Sequence, residues 1–309
     1  MIGNIYTITN QAGDFIKIND HTTDPDNFIA LQDYPLFDVD VKNEEMNREG
    51  AHGIWDFNSY YGKRAINFTG VIIGETEADV ETIKTQMLKV LALPPIPEDE
   101  SAGYVTIKWE DANGDDWQID AKIQSYPRFQ RGMKQNLRLG FQISLKAKNP
   151  EIESQTLLSS SGVRGWETGD ATLPIELPAV IGLVFDNKMS VSNGGTVQAH
   201  TITRLYGEDG GITNPKIYNI TTNKLFKVNT TLADATEWIE INSKLGTVVD
   251  QDGNDLSGLV DSSSEYILLE IGTNEVVYLS DESEGAGSPL STWEYPEATF
   301  SVSHRTTII

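Results

Sequence analysis

Few residues of this 309-residue chain have the types and spacing that catalysis or metal binding requires. The absence of cysteine excludes disulfides, thiol nucleophiles and zinc sites built on thiolates. The chain has four scattered histidines, which are His21, His52, His200 and His304. No two of them form the His-Glu-x-x-His pattern of a zinc site. Neither a Gly-x-Ser-x-Gly turn nor a glycine-rich phosphate loop is present. We therefore expect no enzyme activity, no metal and no cofactor.

Two acidic clusters, Glu110–Asp116 and Asp250–Asp255, are the remaining candidates for cation binding. Neither has the twelve-residue register that ends in glutamate in a calcium-binding loop, and both coincide with Asn/Gly turn signals. We interpret both as solvated turns. A pair of carboxylates suited to glycoside hydrolysis is easy to find among 46 acidic residues, so a glycosidase is the weakest of the functional interpretations.

The charge balance limits the classes of partner. With 23 basic and 46 acidic residues the chain has a net charge of −23, which repels the phosphate backbone, so we expect no sequence-specific nucleic-acid binding. No apolar run approaches 18 residues, and the first residues lack a basic and apolar signal pattern, so we expect neither a membrane span nor export.

Residues 1–150 contain several runs that alternate between apolar and polar side chains, which predicts half-buried strands. The clearest run is Leu137–Lys146. In it, Arg138 and Lys146 lie on the face opposite to the large apolar residues. Two further runs flank Asn113-Gly114, a dipeptide that tolerates positive φ and predicts a hairpin turn.

One segment has helical periodicity. Thr76 and Asp79 form a capping-box pattern, in which the threonine hydroxyl caps the first turn and the acid three residues later reaches back. The apolar residues that follow fall on one stripe: Val80, Ile83, Met87 and Leu91. Pro94, Pro95 and Pro97 are expected to end this helix, because proline lacks the N–H that a helix interior needs.

The second half has no helical period, and short alternating runs separated by Gly, Asn and Asp turns predict an antiparallel β-sandwich. The segment Leu157–Gly169, rich in serine and glycine, is interpreted as the junction between two domains, residues 1–157 and 158–309. The predicted fold class is therefore mainly β: a β-rich N-terminal α+β domain with one helix, and a C-terminal β-sandwich.

Several motifs in order resemble the siphophage distal tail protein family. In the first half they are Gly50-Ala-His-Gly53, Tyr61-Gly-Lys-Arg64, a strand over Ile66–Ile73 that is followed by Gly74, and the short helix. In the second half, Gly194–Thr203, Pro215–Thr222 and Trp238–Ile241 are similar to the opening strands of the family's C-terminal sandwich, which is galectin-like.

The resemblance implies a structural hub of the virion without catalysis. Members of this family form a hexameric ring through the N-terminal domain, and the ring joins the tail tube protein to the tail tip or baseplate. The C-terminal domain is implied to dock tail-associated and receptor-binding proteins. The location implied is the tail tip of the virion, after assembly in the host cytoplasm.

A basic stretch from Lys122 to Lys148 contains seven basic residues and no acid, which is unusual in so acidic a chain. One hypothesis is that these basic residues form a solvated face. The other is that they contact acidic residues of a neighbouring subunit, with Asp38 and Asp40 among those acidic residues. The candidate interface residues, to which the resemblance adds the first three, are His52, Tyr61, Arg64, Asp38, Asp40, Arg128, Arg131, Lys134, Arg138 and Lys146.

Two alternatives stay open at this stage. A carbohydrate-binding adhesion protein would use exposed aromatic residues of the sandwich to stack on sugars, and the candidates are Trp166, Trp238, Trp293 and Tyr295. The resemblance also leaves open the corresponding protein of a contractile tail.

Overall fold

The computed structural model describes residues 4–33, 35–47, 54–93, 103–131, 137–162, 188–281 and 298–309. The chain divides into two compact units, one up to Gln155 together with Ile309 and one from Thr156 to Ile308. We call them the N-terminal and the C-terminal unit. The prediction of a mainly β chain is confirmed, and the described residues contain a single α-helix.

The N-terminal unit is built on one antiparallel sheet whose described strands follow the order β2-β1-β6-β7-β8-β5-β3. Strand β4 pairs with β5 beside β3, and β9 pairs with β7. The strands are β1 (Tyr6–Asn10), β2 (Phe15–Ile18), β3 (Phe28–Leu31), β4 (Leu36–Asn47), β5 (Ile54–Ile73), β6 (Tyr104–Glu110), β7 (Asp116–Arg131), β8 (Arg138–Ala147) and β9 (Ile152–Ser154).

Alternation along β8 sets the two faces of this sheet. Leu139, Phe141, Ile143 and Leu145 are buried, whereas Arg138 and Lys146 are exposed, as the sequence pattern predicts. The β6–β7 hairpin is also confirmed: Glu110 pairs with Asp116, and Gly114 in the turn has a φ of 85°.

Helix α1 (Glu77–Val90) covers the buried face and packs against β1, β2 and β5. The predicted capping box is present, with the Thr76 hydroxyl accepting from the Asp79 backbone N–H and the Asp79 carboxylate accepting from the Thr76 backbone N–H. Met87 and Leu91 are fully buried, and each such side chain contributes about 1.5–3 kcal/mol relative to exposure. The helix ends at Val90, and the three prolines expected to end it lie outside the described residues.

The C-terminal unit has two larger antiparallel sheets that enclose one apolar core, and Ile212–Thr213 pairs with Thr231–Leu232 in a small third sheet. One sheet has the order β10-β21-β12-β17-β18, with β19 on β12, and the other the order β11-β20-β14-β15. The elements are β10 (Leu158–Gly162), β11 (Lys188–Asn193), β12 (Ala199–Tyr206), β13 (Ile212–Thr213), β14 (Lys216–Asn219), β15 (Lys224–Lys227), β16 (Thr231–Leu232), β17 (Trp238–Asn242), β18 (Thr247–Asp250), a 3₁₀ turn (Ser257–Leu259), β19 (Leu268–Leu269), β20 (Gly272–Leu279), β21 (Phe300–His304) and β22 (Thr307–Ile308).

The core of this unit joins both sheets, which is the architecture of a sandwich. Leu205 and Phe300 from the first sheet and Ile217 and Tyr278 from the second belong to one buried cluster. The segment interpreted as a junction contains a strand: Leu158–Gly162 pairs in register with β21, and 163–169 lies outside the described residues.

Candidate functional site

A cleft of about 600 Å³ on the exposed face of the N-terminal sheet collects basic side chains from four strands and the residue after β8. We call it the basic cleft. Five lysines line it, from β4, β5, β7, β8 and the chain just beyond β8: Lys42, Lys63, Lys122, Lys146 and Lys148. Tyr61, Tyr104 and a single acid, Asp40, complete its charged and aromatic lining. Its volume lies in the range of ordinary ligand pockets, and its charge favours an anion.

Cross-strand register explains why these residues meet. Tyr104 pairs with Lys122, Lys122 with Lys146, and Lys146 with Ala65. Ala65 pairs in turn with Asp38, so one row runs across β6, β7, β8, β5 and β4. The sheet therefore places residues far apart in the sequence about 4.8 Å from strand to strand.

Two lysines of the basic cleft are direct cross-strand neighbours. Lys122 lies opposite Lys146, and like charges in such positions destabilise a sheet by about 0.2–1 kcal/mol. The Lys122 ammonium lies 5.5 Å from the centre of the Tyr104 ring, a cation–π contact that offsets part of this repulsion. Within the described part of the chain, none of the five lysines forms an ion pair. The cleft thus has excess positive charge.

The β6–β7 hairpin is basic at its open end, where Tyr104 pairs with Lys122, and acidic at its turn. Its turn contains four carboxylates in seven residues, which we call the acidic turn: Glu110, Asp111, Asp115 and Asp116. The Asp111 carboxylate accepts hydrogen bonds from the backbone N–H of Asn113 at 2.8 Å and of Asp115 at 3.0 Å. The hydrogen bond from the Asp115 backbone, with that from the Trp117 indole, lowers the pKa of Asp111, so the turn is preorganised and ionised.

The candidate interface residues separate into groups. Tyr61, Asp40 and Lys146 meet in the basic cleft, and Asp38 lies in the same cross-strand row. Arg138 is also exposed on β8, but eight residues from Lys146, or about 27 Å along the strand. Arg128, exposed on β7, lies opposite Gln142, between these two ends.

Arg64 lies inside the unit and is 4% exposed. Its guanidinium donates to the carbonyl oxygens of Pro150 at 2.7 Å and Phe37 at 3.0 Å, and burial lowers its pKa. This side chain ties β5 to β4 and to the chain after β8. His52, Lys134 and the side chain of Arg131 lie outside the described residues.

Lys42, Lys63 and Tyr104 are members of the basic cleft that are not among the candidates from the sequence. Lys42 is the one basic residue of β4, and Lys63 has only the buried Arg64 beside it in β5. Only the order of β4, β5 and β8 brings these two lysines beside Lys146. Lys63 is two residues from Tyr61, and this period-two spacing on one face is the one sequence signal that connects it with the site.

The residues considered for other chemistry are dispersed. In the described ranges, no three His, Asp or Glu side chains form a group suited to a metal ion, and no helix is long and apolar enough to cross a membrane. Among the aromatic candidates, Trp238 stacks with the Arg204 guanidinium, 4.7 Å from the ring centre. The other three, Trp166, Trp293 and Tyr295, lie outside the described residues.

Comparisons with known proteins find one matching domain and several structures of similar fold. Residues 8–95 match the phage tail protein RIFT-related domain. This region includes β2–β5 and helix α1, and hence two of the strands that line the basic cleft. A comparison with curated protein sequences finds no match.

Among solved structures, the chain is similar to the SPP1 Dit protein, described as a paradigm of the hub adsorption apparatus in phages that infect Gram-positive bacteria. The TM-score is 0.65 at 10% identity, over 98% of this chain and 99% of that one. It is also similar to chains in the phage P2 baseplate in its activated conformation, with calcium (TM-score 0.51, 10% identity) and with strontium (0.50, 11%), over 98% of this chain and 97% of each. At this identity the likeness is one of fold. Together with the matched domain, it confirms the resemblance to distal tail proteins.

Proposed function

We propose that this chain is a structural protein of a phage tail, a ring-shaped hub that joins the tail tube to the tail tip or baseplate. The observation that supports this most is that its similarity to the SPP1 Dit protein extends over nearly the whole of both chains, across both units. A shared sandwich alone would be weak support, because that architecture serves many functions. The tail domain matched at residues 8–95 adds independent support from sequence.

In this proposal the N-terminal unit forms the ring, a homo-hexamer, and contacts the tail tube protein. A closed ring needs two different complementary surfaces on each copy, and this unit has both a basic cleft and an acidic turn. The C-terminal unit, a galectin-like sandwich, docks tail-associated and receptor-binding proteins. The protein belongs to the virion tail tip after assembly in the host cytoplasm, and it has no catalytic turnover.

Mass and shape in solution test the ring. Light scattering during size-exclusion chromatography is expected to give six times the 34.2 kDa mass of the chain, and negative-stain images a ring with a central opening. A monomer at all accessible concentrations would contradict the proposal. A monomer that binds a purified cell-wall polysaccharide would favour the carbohydrate-binding alternative.

A further inference from the structure

We propose that the basic cleft of one copy binds the acidic turn of a neighbouring copy, in a head-to-tail contact repeated around the assembly. This inference rests on the proposed ring and assigns the surfaces that form it. The occupant of the basic cleft is therefore a second copy of this chain, and the recognised chemistry is a rigid turn with four carboxylates.

The basic cleft has more positive charge than its own residues compensate. Five lysines face one aspartate there, and no ion pair within the described residues neutralises them. The Lys122–Lys146 pair costs the isolated unit stability, so these lysines are explained better by an external anion than by the fold itself. An incoming carboxylate lying between the two ammonium groups removes that repulsion.

The acidic turn has the complementary property. Glu110, Asp115 and Asp116 are exposed, and none of them forms an ion pair within the described part of the chain. Some acids of this unit have cationic partners, among them Asp14 with Lys89 at 2.6 Å and Asp20 with Lys17 at 3.1 Å. The turn is also held in shape by the Asp111 side chain, so little conformational entropy is lost on binding.

One hairpin carries both partners and keeps them apart. Tyr104 and Lys122 are paired at its open end, and Glu110 and Asp116 at its turn, six residues away or about 20 Å along the strand. A copy therefore cannot satisfy its own cleft with its own turn. In the proposed ring the cleft of each copy contacts one neighbour and its turn contacts the other, so the contact is heterologous, and its repetition gives a closed ring or a filament.

A phosphate polymer is the competing occupant of the basic cleft. The net charge of −23 repels such a polymer along its whole length, and a cleft of about 600 Å³ shields only a short part of it. A compact turn places its four charges together and keeps the rest of its chain in an ordinary protein interface. We therefore favour the acidic turn.

Complementary charge reversal tests the contact. Lys146→Glu/Lys148→Glu takes the cleft from five lysines against one aspartate to an equal number of basic and acidic residues, so the cleft no longer attracts a wild-type turn. Asp115→Lys/Asp116→Lys likewise leaves two acids and two lysines in the turn, so the turn is no longer attracted to a wild-type cleft. Each variant alone is expected to raise the concentration at which half of the chains are assembled by about tenfold or more. In an equimolar mixture every second contact of an alternating ring is a wild-type pair, and in the others the introduced glutamates lie against the introduced lysines, so assembly returns toward the wild-type concentration.

A matched control carries the same change in charge elsewhere on the same face. Arg128→Glu/Arg138→Glu also replaces two exposed basic residues, but it keeps the cleft and the turn and is expected to assemble by itself. Mixing it with the Asp115→Lys/Asp116→Lys variant is not expected to restore the assembly of that variant. Circular dichroism and hydrogen exchange of each variant establish that it is folded before its assembly is compared.

The outcomes distinguish a failure of the proposed contact from a failure of the proposed ring. A wild-type chain that forms no ring counts against the proposed function. A wild-type ring that both variants also form normally, or variants that fail alone and stay apart when mixed, would overturn only the contact proposed here. So would binding of polyphosphate at near-physiological salt that Lys146→Glu/Lys148→Glu abolishes without any effect on assembly.

Discussion

The C-terminal unit and the basic cleft of the N-terminal unit use their basic side chains in opposite ways. In the C-terminal unit the Arg204 guanidinium lies 2.8 Å from the Glu240 carboxylate, and the ammonium groups of Lys216 and Lys227 lie 2.7 and 3.2 Å from that of Asp281. In the basic cleft of the N-terminal unit no lysine has such a partner among the described residues. Basic residues of the first kind stabilise their own unit, whereas those of the second are left for a partner.

The difference in burial makes the comparison quantitative. Lys216 is 2% exposed, so the carboxylate that it contacts stabilises a charge that water hardly reaches. The lysines of the basic cleft are exposed, and water solvates them whether or not a partner is present. Removing a charge partner in the C-terminal unit should therefore change stability, and removing a lysine from the basic cleft should change association.

The largest expected effect is that of Asp281→Ala, which leaves the buried Lys216 without this carboxylate. We expect a loss of about 2–3 kcal/mol, less than for a fully buried pair because Asp281 is itself about one-third exposed. Urea unfolding measures the loss, and hydrogen exchange in β14 and β20 assigns it to the C-terminal unit. Glu265→Ala, which removes the carboxylate paired with the more exposed Lys224, is the control and should cost less than about 1 kcal/mol.

The pH dependence of the free energy of unfolding is a second test of the role of Asp281. Burial raises the pKa of the Asp281 carboxyl, but the hydrogen bonds from Lys216, Asn214 and Lys227 outweigh it and hold the pKa at about 2. A depressed pKa means that the stabilisation is complete above the ordinary value of 3.8 and is lost as the pH falls toward 2. Asp281→Ala should flatten this part of the stability profile. Equal slopes in the wild type and the variant would contradict the assignment.

Gly70→Ala should have the next largest effect, and it weakens the N-terminal unit without changing any charge. A Cβ at this position would clash with the carbonyl oxygen of Ala30 and lie 2.7 Å from the Phe141 ring. Overpacking of this kind costs about 1–3 kcal/mol. Hydrogen exchange should increase in β3, β5 and β8. Gly194→Ala, where a Cβ meets nothing within 4 Å, is the control, and an equal loss in both variants would show that packing at Gly70 is not tight.

Local patterns predicted the elements of this fold better than its pairings. The alternation along Leu137–Lys146 and the Asn113-Gly114 turn are properties of neighbouring residues, and both are confirmed. The serine and glycine of Leu158–Gly162 give no periodicity, and the sequence therefore predicts a junction there. The segment is a strand because Phe300–His304, about 140 residues later, supplies its hydrogen-bonding partner.

The candidate site shows the same limit. The pattern on β8 correctly placed Lys146 on the exposed face, and the excess of basic residues around it was visible in the sequence. The convergence of Lys42 and Lys63 on Lys146 was not visible, because it depends on β5 lying between β4 and β8. The order of strands in a sheet depends on contacts across the whole unit, so the propensities of neighbouring residues do not predict it.

The smallest expected effect has the opposite sign and tests the comparison most directly. Lys146→Gln removes the charge opposite Lys122, so the N-terminal unit should gain about 0.2–1 kcal/mol, most clearly at low salt, where the repulsion is least screened. Arg138→Gln, at the other end of β8, is the matched control. Residue 138 has no cation opposite it in the described register, where its partner is Ile73, so no gain is expected there. Urea unfolding of both variants at low and high salt measures the difference. A loss of stability on Lys146→Gln would mean that this lysine serves its own unit, as Lys216 does, and would remove the contrast between the two units.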